Sequence, residues 1–211
     1  MSDPKAAEEN LKVIRELMER ATTYRALLTL PAIIGCVLTL VVGGWMVSAG
    51  KDLSLNQFVF IWLGVFLAVD AANSILIFRE SRRRGTEFPS PQTMHGAFAM
   101  LPGLLAGGVV GIILALVNED PVRCALMWAV FAGLSLLSTK SFAPRSIVGL
   151  GWTILIAGLG IFSWKELGGF LPGDNSVSQA SLVMILTFGG PLALYAMWTG
   201  VVSKKSSDPH V

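Results

Sequence analysis

Residues Gln57–Phe78 read QFVFIWLGVFLAVDAANSILIF and run straight into RESRRRG, with Arg79, Arg82, Arg83 and Arg84. An apolar run of this length suits a helix crossing a bilayer, whose hydrocarbon core takes about 20 helical residues. Asp70 is the sole acidic residue inside any long apolar run of the chain. The arginine block at the end of the run marks the side of the membrane it faces, because short basic segments stay on the cytosolic side. Outward in both directions the chain repeats the pattern of apolar span and short polar connector.

Composition agrees with that reading. The 211 residues are 53% hydrophobic and 14% charged, with a mean hydropathy of +0.65. Soluble domains carry about 25% charged residues. An integral membrane protein is expected. A net charge of only +2 gives no footprint for nucleic acid. Cys36 and Cys124 lie in or beside apolar runs and read as small apolar residues. With His95 and His210 they make no metal or haem ligand set. No GxSxG, HExxH or phosphate loop is present, and no span holds two carboxylates. No catalytic residue, cofactor or metal is expected, and an enzyme is the least supported class.

The expected fold class is all-α: a polytopic transmembrane helix bundle of about six spans, at residues 26–48, 57–78, 96–117, 122–138, 147–164 and 180–202. Residues 2–25 read as an amphipathic helix outside the hydrocarbon. Asp3 is its N-cap, Pro4 its first helical residue, and Leu11, Ile14, Leu17, Met18, Ala21 and Tyr24 form one apolar face. So long a polar segment before the first span does not resemble a signal peptide. The tail from Ser203 is polar and reads as disordered. The rival count is five spans, with the short fourth run re-entrant. Charge favours six: alternate connectors then gather 13 of the 16 lysines and arginines on one side, leaving Lys51, Arg123 and Lys165 on the other. Both termini are then expected in the cytosol.

Two sets of candidate residues stand out. Asp70 lies about eight residues from the end of its span, so roughly 12 Å deep at 1.5 Å per residue. Asn73 and Ser74 follow on the same helical face. A carboxylate at that depth must face the bundle interior or be protonated. It is either a proton- or cation-linked site or a structural clasp to a neighbouring helix. Arg145, after Pro144, lies on the same side and could reach Asp70 or a lipid phosphate. Tyr24 and Arg25 suit the interface at that face. The second set is Gly103, Gly107 and Gly111, a GxxxGxxxG ladder that lets another helix approach closely, in this chain or in another. Gly/Pro interruptions recur at Pro102-Gly103 and Gly189-Gly190-Pro191, the third run of each half. They give a faint echo of the inverted repeats of secondary transporters.

The segments Glu19-Arg20-Ala21-Thr22-Thr23-Tyr24-Arg25-Ala26 and Phe142-Ala143-Pro144-Arg145-Ser146, the latter running into Leu150-Gly151-Trp152, resemble signatures of a family of uncharacterised bacterial multi-pass membrane proteins, as does the arginine-rich loop. The resemblance covers most of the chain. It implies a bacterial cytoplasmic membrane setting and carries no activity, substrate or site residues.

The sequence therefore leads to a non-enzymatic membrane protein, first as a structural or accessory component of a membrane assembly. The expected partners are the lipid bilayer and either a second copy or another membrane subunit, with no nucleic acid. The alternative is a small ion-coupled carrier using Asp70.

Overall fold

In a computed structural model the described residues are 30–49, 52–83, 85, 91–141 and 143–206. The helix expected over residues 2–25, with Tyr24 and Arg25, lies outside them, as do Phe142 and residues 207–211. The described chain is helical and contains no strand. The helices are α1 (Leu30–Ala49), α2 (Leu55–Arg83), α3 (Pro91–Leu116), α4 (Pro121–Ser138), α5 (Arg145–Glu166), α6 (Ser176–Met184) and α7 (Gly190–Ser206). A π-helical turn, Ile185–Gly189, joins the last two into a single span, so six segments are long and apolar enough to cross a membrane. The short fourth run forms a full helix of 18 residues, which extends about 27 Å.

Helix starts follow from local chemistry. Ser54 and Gln57 form a capping box at α2: the Gln57 N–H donates to Ser54 Oγ and the Ser54 N–H to Gln57 Oε1. Asp120 caps α4 by accepting from the Arg123 N–H at 2.9 Å, with Pro121 in the first turn where its missing N–H costs nothing. Asn175 caps α6 through the Ser178 N–H at 2.8 Å. At the other extreme, α7 runs to Ser206, so residues 203–206, expected in a disordered tail, are helical; the rest of that expected tail lies outside the described residues. Lys204 and Lys205 explain the difference: lysine is a good helix former and is favoured at a helix C-terminus.

Successive helices alternate in direction. On α3, the Gly103, Gly107 and Gly111 positions abut Ser135, Phe131 and Trp128 of α4 in reverse order. Gly133 of α4 meets Leu155 and Gly151 of α5. Gly35 and Gly43 of α1 meet Val69 and Trp62 of α2, and Leu192 and Ile185 of the last span. The ladder is thus occupied within the chain, and α4 is its partner. Helix α4 is the hub: α3, α5 and α6 all pack on it. All the glycines at these crossings let backbones approach closely, which is how membrane helices gain packing contacts where lipid and side chain are equally apolar.

Both Gly/Pro interruptions can be followed. Helix α3 continues through Pro102, and the Ser138 hydroxyl of α4 donates to the Ala99 carbonyl nearby at 2.8 Å. The last span instead widens. A proline at position 191 would drive its ring into the carbonyl of residue 187 in a regular helix, and a π turn relieves that clash. Within the turn the Thr187 hydroxyl donates to the Val183 carbonyl at 2.8 Å, and the Cys36 thiol of α1 to the Gly189 carbonyl at 3.7 Å.

Candidate functional site: a cavity at the basic end of the bundle

The two ends of the bundle differ in charge and in packing. Arg79, Arg82, Arg83, Lys140 and Arg145 lie at one end, where α2 and α4 finish and α5 starts. Asp120, Arg123, Lys165 and Glu166 lie at the other and lace α4 to α5 there. Arg123 donates to Glu166 from Nε at 3.0 Å and from Nη2 at 2.9 Å, and Lys165 Nζ to Asp120 at 3.3 Å. These groups are substantially exposed, so they fix geometry more than they stabilise.

The tightly buried side chains cluster in the half opposite the basic end. Met46 of α1, Phe58, Val59 and Trp62 of α2, Val122, Ala125 and Leu126 of α4, and Val177, Val183 and Met184 of α6 and its cap all pack there. The half nearer the basic end is hollow. It holds a cavity of about 490 Å³, to which all six spans contribute wall residues. That is within the range of small-molecule sites, roughly 300–1,000 Å³.

The wall is almost entirely apolar. Its inner end is aromatic: Phe66 meets Trp128 edge-on at 5.7 Å and Phe188 edge-on at 5.3 Å between ring centroids, while Phe58 stacks behind Trp128 at 6.3 Å. Such pairs exceed simple area burial in stability. The Trp128 indole N–H has no acceptor among the described residues and points at the Gly111 position of α3. Polar groups on the wall are few: Thr39, Asp70, Asn73 and Tyr195.

Asp70 and Asn73 therefore sit together on the cavity wall, three residues apart on α2, and Asp70 is exposed. Ser74 is exposed and does not line the cavity, because the next step around the helix carries it off that face. Arg145 is exposed at the start of α5 and, among the described residues, forms no ion pair with Asp70. Clasping of Asp70 by Asn73, Ser74 or Arg145 is absent. Gly107 also lines the cavity, while Gly103 and Gly111 serve the α3–α4 contact.

Sequence reasoning missed Tyr195 and Ser146. The Tyr195 hydroxyl, on α7, donates to Ser146 Oγ on α5 at 3.4 Å, with both residues buried. The available signal was that Tyr195, one of two tyrosines, lies inside an apolar run rather than at its edge, where a hydroxyl needs a partner. Comparison with family models, with curated proteins and with solved structures gives no match.

Proposed function

We propose that the protein is a non-enzymatic small-molecule carrier of the membrane, with the cavity as its binding site and Asp70 as its charged contact. The observation that carries this reading is the asymmetry of the bundle: a hollow half nearer the basic end and a tightly packed half beyond the Phe66–Trp128–Phe188 floor. A carrier needs such a cavity within the span, bounded on one side by a packed barrier. An intramembrane carboxylate on such a wall is a functional residue by default. The π turn with Gly189, Gly190 and Pro191 lies beside the floor, and an irregular helix at that depth is tolerated where it lines a cavity. The ladder, whose partner the sequence left open between this chain and another, is engaged by α4, so it does not argue for an accessory role.

The basic end faces the cytosol on this reading, in a bacterial cytoplasmic membrane, with both termini inside. A cytosolic reporter fused at either terminus is expected to be active; an inactive fusion at the C-terminus alone would remove the six-span topology.

A cavity-filling variant tests the carrier reading. Gly108 lines the cavity and a Cβ there meets nothing within 4 Å, so a side chain can start from this position without a backbone clash, and Gly108→Phe is the cavity-filling variant. Wild-type protein in nanodiscs is expected to be thermally stabilised by members of a chemically mixed small-molecule panel, and Gly108→Phe to keep its own melting temperature while losing that response. No stabilising ligand, together with a defined complex with another membrane protein, would replace the carrier by an accessory subunit.

A further inference from the structure

We infer that the cavity takes a lipophilic organic cation, one whose charge is carried on an apolar or aromatic body. The inference rests on the ligand-binding reading above and adds the sign of the charge and the mode of recognition.

Three observations combine. First, among the described residues Asp70 is the only charged residue on the cavity wall, and no described lysine, arginine or histidine lines it. The described wall therefore has a formal charge of −1 with no counter-charge from another described residue. The Asp70 carboxylate, with no bonded partner among the described residues, attracts a cation brought within a few ångströms of it. Second, Phe66 precedes Asp70 by four residues, so the two side chains share a face of α2 about 6 Å apart along its axis. With Trp128 and Phe188, Phe66 offers ring faces and edges at the inner end of the cavity. Aromatic walls attract cations through the ring quadrupole, most strongly where water is excluded. Third, the remaining wall is aliphatic, from residues such as Leu63, Leu104, Ile154 and Leu192. Such a wall rewards a large apolar body and penalises a small hydrated ion.

The basic rim does not reverse the sign. Arg79, Arg82, Arg83, Lys140 and Arg145 are at the same end, but none is on the wall. Rim charges in contact with water are screened over about 8 Å at physiological salt. They slow the approach of a cation without cancelling Asp70 inside. An anionic amphiphile would meet the opposite arrangement, an attractive rim and a repulsive interior.

Tetraphenylphosphonium and tetraphenylborate provide the test, since the two ions have nearly the same shape and opposite charge. Binding to the full-length protein in nanodiscs is read from tryptophan fluorescence, with empty nanodiscs correcting for partition into lipid. Tetraphenylphosphonium is expected to bind saturably, and the borate to bind at least tenfold more weakly. Asp70→Asn is expected to weaken the phosphonium by roughly tenfold or more and to leave the unfolding midpoint in place. Phe188→Leu is expected to weaken it by a few-fold. Equal binding of both ions, or tighter binding of the borate, overturns the cation inference while leaving a ligand cavity. An Asp70→Asn variant that unfolds is replaced by Asp70→Glu, which must keep the preference for the phosphonium or the inference fails. Failure of both ions, with no ligand from the mixed panel stabilising the protein, removes the carrier reading itself.

Discussion

Replacing Gly133 by alanine is expected to cost about 3 kcal/mol of stability, the upper end of what overpacking a tight contact costs. A Cβ built at Gly133 falls 2.8 Å from the Leu155 backbone nitrogen and 3.0 Å from the Gly151 carbonyl oxygen, across the α4–α5 crossing. Neither atom belongs to a side chain that can rotate away. The two helices must separate, and α4 is also the helix that α3 and α6 pack on, so the displacement spreads. The contrast lies on the partner helix. Gly149 and Gly160 of α5 have nothing within 4 Å of a built Cβ, so alanine there is expected to be neutral or to stabilise by up to about 1 kcal/mol, as glycine is a weak helix former. The measurement is the unfolding midpoint of each variant in mixed micelles, followed by circular dichroism. A Gly133→Ala protein that melts with the wild type would show that the crossing relaxes freely and that α4 does not act as the hub.

That crossing also marks the limit of what was legible in the sequence. The span count was legible because length and hydropathy alone decide it, and the short fourth run was secured by the charge alternation around it. The GxxxGxxxG ladder was legible as a close-contact face because glycines four apart must share a side of a helix. Its partner was not legible, since small residues say how near a helix can come and not which one comes. The α4–α5 seam was missed because its glycines are spread over two helices, Gly133 on one and Gly151 and Gly158 on the other, with no four-residue period. Asp70 was legible as exceptional by its depth. That Asn73 stays with it on the cavity wall while Ser74 leaves depends on how α2 is rotated against its neighbours. Rotation is a tertiary property, and the weak amphipathic signal of a helix apolar on nearly every side leaves it unspecified. The aromatic floor was hidden for the same reason: Phe66, Trp128 and Phe188 are far apart in the chain and resemble the other aromatic residues of the spans.

Asp70→Asn is expected to abolish carrier activity and to leave the fold in place. The two outcomes separate because the carboxylate, among the described residues, holds no neighbouring helix: neither Arg145 nor Asn73 nor Ser74 is bonded to it. A clasp removed from between two helices would leave a partner stranded in a dry interior, at a cost of several kcal/mol. Here asparagine keeps the size and polarity of an exposed side chain that bonds no described neighbour, exchanging one acceptor oxygen for an NH2 donor, and a stability change within about 0.5 kcal/mol is expected. What asparagine cannot keep is the charge. Losing one member of a charge pair with a bound cation costs about 2 kcal/mol or more, which is roughly a 30-fold loss of affinity. Uptake of tetraphenylphosphonium into proteoliposomes, driven by an imposed membrane potential, should therefore fall for Asp70→Asn to the rate of protein-free vesicles. Wild-type vesicles should exceed that rate, and Gly133→Ala should lose uptake only in proportion to the protein that remains folded. Unaltered uptake in a folded Asp70→Asn protein would take the charge out of the mechanism. Loss of folding in that variant would return Asp70 to the role of a clasp, with a partner outside the described residues.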